Sequence, residues 1–410
     1  LQQRAGGFDL LATAGQDAPE GAEQLTVHLA GVAVEGGFLE LETEKLRADL
    51  SGRTVTAADL FTAAGALERS YADAGYSLVR VVLPAQRLVD GAILRIVVID
   101  GFLETVDTSR LPDNIRLRVE AVPAPLIGQK GIANATIERQ VLLAGDLPGA
   151  VLRSTLSKGS EAGGSVLTIE ARYKPVIASA TVDNRLSEEL GRYSTGIGVD
   201  FNSPFGLGEQ FYVRASMPRM AFFSDAPRNR SLAAGVTLPI GIDGLTLNLE
   251  GTASRTVPPN LAGLIYQSDF VRYAARLNYP LIRSRDLTVN LSGVFDIKDE
   301  RQTLKNLGGL SLSEDPLRTL RAGMDFSWYP TRDAFIYGDI TGSMGLNGLG
   351  ARNLADATAT GILLPRQGAN ADFQKLEISL GYRQTLAEHL VLDFKAKAQT
   401  SFGRPLLSSK

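Results

Sequence analysis

The 410-residue sequence has no cysteine, only two histidines (His28 and His389) and a single tryptophan. Without cysteine there are no disulfides and no thiolate metal sites, and no cofactor or metal constellation is recognisable. The absence says little about compartment, because an oxidising space does not oblige a protein to use cysteine. A charge excess is missing too: 42 Lys and Arg stand against 45 Asp and Glu, giving a net charge of -3. No basic field is offered to nucleic acid, and that class of partner is set aside. Enzyme chemistry is also poorly supplied. His28 falls in an expected strand and His389 at an expected turn, so neither stands as a base beside a nucleophile. Long apolar runs are lacking as well, which excludes a transmembrane helix and leaves a β-barrel open. The chain starts at Leu1 without a methionine, and residues 1–20 lack the basic start and apolar core of a signal peptide. The amino terminus therefore reads as processed or cut, with residues 1–23 a linker or remnant.

From Gln24 onward, patterned segments appear. The order reads strand (24–34), helix (40–50), helix (57–75) and two strands (77–83 and 92–99). In the second helix Leu60, Phe61, Ala64, Leu67 and Tyr71 fall on one stripe, after Thr56 as N-cap and before Gly75 as a stop. Asp90-Gly91 supplies the turn into the last strand, where Ala92, Leu94, Ile96 and Val98 alternate with their neighbours. The same order returns after Gly101: a strand near 103–108, a helix from about 112, a helix at 135–144, and strands near 150–157 and 165–173. Asp146-Leu147-Pro148-Gly149 ends the second of those helices. Two copies of one β-α-α-β-β topology, 24–101 and 102–175, thus sit end to end. Each leaves a sheet edge to which an extended peptide can add as another strand. In the second copy the candidate edge residues are Val151, Leu152, Arg153 and Thr155. The plainer alternative is a pair of spacers whose edges are blunted by charge.

After Lys174-Pro175 a two-fold rhythm takes over. Tyr193, Thr195, Ile197, Val199 and Phe201 alternate with Arg192, Ser194, Gly196, Gly198, Asp200 and Asn202. Similar alternation recurs near 245–253, 271–279, 320–328, 375–383 and 390–399. A soluble sandwich would alternate as well. The links argue for a barrel: short near 203–207, 240–244, 280–285, 330–333 and 385–388, and long near 219–230, 255–267, 299–317 and 346–371. Short turns on one side and long loops on the other are the mark of an outer-membrane barrel. Asp200, Arg214, Arg272, Arg276, Arg321 and Asp325, with Arg192 and Glu250, then face the lumen. They suit a polar path for an unfolded chain, or they simply pair with neighbours across strands, as any barrel lumen requires. The rhythm gives about eleven strands, the first at 176–184, whereas a bacterial barrel of one chain has an even number. The expectation is a carboxyl-terminal truncation, with more strands beyond Lys410.

Several motifs resemble a known family. Pro84-x-Gln86 followed by Gly91-x-x-Leu94-x-Ile96-x-Val98-x-x-Gly101 resembles the end of the first polypeptide-transport-associated (POTRA) domain of two-partner secretion transporters of the haemolysin-activator and filamentous-haemagglutinin type. Leu147-Pro148-Gly149, Asp183-Asn184 with Gly191, and Asn202-Ser203-Pro204-x-Gly206-x-Gly208-Glu209 are similar to the same family. The resemblance implies two periplasmic POTRA domains and then an outer-membrane antiparallel barrel of sixteen strands, in contact with lipid. It implies export of one large secreted partner, an adhesin or haemolysin-like protein, recognised through an extended secretion signal and moved without nucleotide hydrolysis. The family's plug helix is not recognisable in residues 1–20, and its Val-Arg-Gly-Tyr/Phe loop motif is absent from the sequence. An outer-membrane insertase of the same superfamily and a passive porin are the alternatives.

Overall fold

The computed structural model describes residues 2–4, 7–10, 13–14, 18–218, 228–259, 263–365 and 369–406. It forms two compact units. The first comprises Leu1–Leu111, Glu120–Val141 and Leu152–Ala171; the second comprises Pro112–Val119, Leu142–Val151 and Arg172–Lys410.

The first unit begins with three short strands, β1 (Gln2–Arg4), β2 (Gly7–Leu10) and β3 (Thr13–Ala14), followed by β4 (Thr26–Glu35), α1 (Glu40–Leu50), β5 (Thr54–Thr56) and α2 (Ala57–Asp73). The strands β6 (Arg80–Leu83), β7 (Gln86–Val89) and β8 (Ala92–Ile99) complete this part. The main sheet has the order β3-β6-β8-β4-β5, with β4 and β8 parallel and β6 and β8 antiparallel. The expected stripe of α2 packs onto it: Leu60, Phe61, Ala64, Leu67 and Tyr71 are all buried, alongside Val27, Leu29, Leu94 and Ile96. Thr56 caps α2 through a reciprocal box, its hydroxyl accepting the Asp59 N–H at 3.1 Å while the Asp59 carboxylate accepts the Thr56 N–H at 2.8 Å. Several features escaped the sequence pattern, the three-residue β5 among them. Strand β7 lies where a polar link was expected. Residues read as a linker pair instead as strands, β2 with β7 and β3 with β6.

The order then repeats as β9 (Phe102–Asp107), α3 (Asp113–Ala121), α4 (Asn134–Gly145), β10 (Ala150–Lys158) and β11 (Gly164–Tyr173), in a sheet of order β10-β11-β9 with β9 and β11 parallel. This is the arrangement of β6, β8 and β4 over again.

The second unit is dominated by one antiparallel sheet of eleven strands in chain order. These are β12 (Val176–Asp183), β13 (Ser194–Asn202), β14 (Gln210–Pro218), β15 (Asn229–Ile240), β16 (Leu245–Thr256), β17 (Tyr266–Arg283), β18 (Leu287–Leu304), β19 (Leu310–Thr331), β20 (Ala334–Gly345), β21 (Gln374–Ala387) and β22 (Leu390–Thr400), with the short helix α5 (Leu354–Thr360) between β20 and β21. The strand count is the expected one, but the supposed long link at 299–317 is mostly strand. β18 runs on to Leu304 and β19 starts at Leu310, paired through Asp299↔Pro316 and Glu300↔Asp315. Backbone pairing continues there although the side chains no longer alternate between apolar and polar, so the pattern alone ends the strands too soon.

The apolar face of this sheet is not packed. Ile197, Val213, Leu249 and Leu277 are 46 %, 52 %, 43 % and 47 % exposed, so among the described residues no second sheet covers them, and the sandwich alternative fails on that observation. Among the described residues no helix is long and apolar enough to cross a membrane, which leaves crossing by strands open.

Candidate functional site

The opposite face of the large sheet is lined by paired charges. Because successive residues of a strand point to opposite faces, every second residue of neighbouring strands meets on this side. Arg214 donates to Asp200 at 2.5 Å from the next strand, and Asn290 donates to Asp325 at 2.8 Å. Arg276 reaches Glu250 at 2.8 Å and the Asn248 side-chain oxygen at 2.6 Å, while the Tyr212 hydroxyl donates to Glu250 at 2.8 Å. Asp296 is fully buried and accepts from Arg272 at 2.6 Å, with Arg321 forming a second ion pair to it. The six lumen candidates therefore all have partners on neighbouring strands: the arginines are neutralised by carboxylates and Asp325 is held by an amide. Asp296, Asn248 and Tyr212 belong to the same wall and were not singled out from the sequence.

A second cluster lies at the turn between β13 and β14, where the Asn-Ser-Pro-x-Gly-x-Gly-Glu motif folds. Glu209 is buried and accepts the N–H groups of Phe205 at 2.5 Å and Leu207 at 2.8 Å, which ties the loop into a closed bend. The Ser203 hydroxyl accepts the Gly208 N–H and donates to the Asn114 carbonyl of α3, both at 3.0 Å. Gly206 and Gly208 both have positive φ, and a Cβ on Gly208 would lie 2.9 Å from Arg118 and Leu147, so the loop meets α3 and the turn after α4 at close range. Arg118 donates to the Gly241 carbonyl of the next short turn at 2.6 Å, and Arg283 grips Asp146 through two bonds of 2.9 and 2.7 Å.

Pro148 and Gly149 lie in the turn facing Asn202. Gly149 has φ 75°, and a side chain there would collide with Asn202 and the Lys174 carbonyl. Asn202 in turn donates to Lys174 at 2.8 Å and accepts from Gln210 at 2.9 Å, and the Tyr173 hydroxyl donates to its carbonyl. Burial, and after it the carboxylate of Glu209, pushes the Tyr173 phenol up, which keeps that hydroxyl a donor. Three of the five short turns, with the strand ends beside them, thus hold residues 112–119 and 142–151 by hydrogen bonds, an ion pair and close glycine contacts.

The third feature is the β10 edge. Val151, Leu152, Arg153 and Thr155 lie on β10, the outermost strand of the order β10-β11-β9. Val151 is 66 % exposed, and the strand is exposed along most of its length. The opposite edge is covered: Leu103 of β9 bridges to Ile127, Phe102 bridges to Lys130, and Gly128 donates to the Leu103 carbonyl at 2.8 Å. Of this sheet's two edges, β10 alone has no strand or bridge beside it among the described residues.

The remaining motif residues have local duties. Gln86 substitutes for backbone pairing, its side chain accepting the Arg95 N–H at 2.9 Å and donating to the Arg95 carbonyl at 2.7 Å. Pro84 separates β6 from β7, Gly91 donates to the His28 carbonyl at 2.8 Å, and Gly101 backs closely onto Leu78. Asp183 caps a turn by accepting the Arg185 N–H at 3.0 Å, with Asn184 inside that turn.

Residues 163–410 match the model of the family described as haemolysin secretion/activation protein ShlB/FhaC/HecB, and residues 27–101 match the POTRA domain of the ShlB type. The outer membrane transporter CdiB of Escherichia coli is 28 % identical over 294 residues, which are 69 % of this chain and 48 % of that protein. The heme/hemopexin transporter protein HuxB of Haemophilus influenzae is 23 % identical over 352 residues, 83 % of this chain and 57 % of that protein. The chain thus spans about half the length of the curated relatives it matches. Among solved structures, CdiB from Escherichia coli superposes with a TM-score of 0.70 at 22 % identity, over 96 % of this chain and 72 % of the other. CdiB from Acinetobacter baumannii superposes with a TM-score of 0.57 at 14 % identity, over 93 % and 70 %. At these identities the superpositions speak for the fold.

Proposed function

The chain belongs to the haemolysin secretion/activation family, and from that premise we propose that it is the outer-membrane transporter of a two-partner secretion pair. In this reading residues 24–101 and 102–175 are two POTRA domains in the periplasm, and 176–410 contribute to the barrel in outer-membrane lipid. The cargo is a large secreted protein whose extended signal adds to the β10 edge. The paired-charge face of the sheet then forms the wall along which the unfolded chain slides. The six candidate charges of the wall are each held by a partner on a neighbouring strand, which suits passage of a polypeptide of varied sequence. No catalytic step is involved. Net movement comes from binding differences and from folding of the cargo outside.

The observation that carries the proposal is the coexistence, in one chain, of an open strand edge and an eleven-stranded sheet with a bare apolar face and a polar face. Deleting the intact gene tests it. Loss of one exoprotein from the culture medium is the expected result, with the outer-membrane protein profile unchanged. A general loss of barrel proteins would point to an insertase, and an unchanged secretome to a passive pore.

A further inference from the structure

The two copies of the β-α-α-β-β topology differ at the corresponding edge. In the second, β10 is open. In the first, the equivalent region, β6 and the adjoining β7, is already filled by two described segments of the same chain, Gly7–Leu10 on β7 and Thr13–Ala14 on β6. Phe8 pairs with Leu88 and Leu10 with Gln86, and further along Thr13 pairs with Leu83 and Ala14 with Val82. Gly7–Leu10 lies as an extended strand with Phe8 and Leu10 only 1 % and 2 % exposed, both in the core with Leu83 and Leu88. Between them Asp9 stands opposite Arg87.

We infer that the β6–β7 edge is a second acceptor for the exported chain, held until then by Gly7–Leu10 and Thr13–Ala14 as a tethered occupant. This rests on the transport reading above. The occupant shows what the edge takes: an extended segment with an aromatic or large aliphatic side chain at one position and another two residues on, separated by a polar residue. Strand addition uses backbone bonds that depend little on sequence, so a foreign segment with that alternation satisfies the same groups. Tethering sets the order of events. A short tether presents its segment at an effective concentration on the order of millimolar, which a dilute free peptide cannot match. Cargo already held at β10 is tethered to the same molecule and competes on similar terms. Capture at the open edge therefore comes first and exchange at the filled edge second.

The probe is a fluorescein-labelled peptide of sequence GFDLLATA, titrated against the full-length transporter in detergent. With Phe8→Ala/Leu10→Ala the anchors are gone, and the peptide is expected to gain a site that it lacks on the unaltered protein, with apparent affinity at least about tenfold tighter. Equal binding to both proteins would overturn the inference. A second variant leaves both anchors in place: Asp9→Cys/Arg87→Cys locks the segment onto β7, and no other cysteine stands in these 410 residues to compete for the disulfide. Secretion is expected to fall several-fold relative to either single variant, whereas full secretion with the disulfide formed would also overturn the inference. The peptide titration reads binding alone, so it stands or falls separately from the gene-deletion result.

Discussion

At the scale of single residues, the polar wall turns on Asp296. It is fully buried and shared by Arg272 and Arg321, so Asp296→Ala leaves two guanidinium groups facing each other without their carboxylate. Breaking a buried pair in this way costs about 3–5 kcal/mol, to be read as a lower urea midpoint for unfolding of the refolded protein in liposomes. The six lumen candidates were legible from parity within their strands. Asp296 was not, because Gly293 on the outer side and Val294 on the inner side blur the two-fold rhythm of β18. A different residue reports on pH. Glu104 accepts the Ser160 hydroxyl and the N–H groups of Ser160 and Glu161 at 2.8 and 3.1 Å, and these bonds, the hydroxyl foremost, hold its carboxyl below the usual carboxylate range. A depressed folded-state pKa contributes stability above the unfolded value that is lost as pH falls through the folded value. Amide protection at Ser160 and Glu161 is therefore expected to drop on acidification below the ordinary carboxylate range, and Glu104→Gln to remove that dependence.

At the scale of elements, the β10 edge is the feature with the sharpest consequence. A photo-crosslinking amino acid at Arg153 or Thr155 is expected to capture the exoprotein in secreting cells, whereas one at Phe102 on β9, bridged to Lys130 of the covering segment, is not. Equal capture at both strands would remove the edge from the mechanism. The sequence showed the helices and longer strands of both copies because their apolar periods extend over several turns or pleats. It hid β5 and β7, which have three and four residues, too few to establish a period. Strands β18 and β19 were cut short for the opposite reason: past the apolar band the backbone keeps pairing while the side chains no longer alternate.

At the scale of the whole molecule, the proposed function makes lipid part of the fold, against the bare apolar face. Leu249 lies at mid-strand between Val236 and Ala275 on that face. Leu249→Arg is expected to cost about 2–4 kcal/mol in liposomes, and Thr252→Arg on the polar face much less, as compared by urea unfolding. Equal costs would mean that the two faces share one environment. The sequence by itself determined the order of the longer elements, the eleven-stranded rhythm and which side chains share a face, because each follows from local period and turn chemistry. Only the tertiary structure decided which sheet edge stays open, where residues 7–10 and 13–14 pair, how the short turns hold 112–119 and 142–151, and which charge neutralises which. Those facts depend on register between segments tens of residues apart, and no local pattern encodes a register with a distant partner.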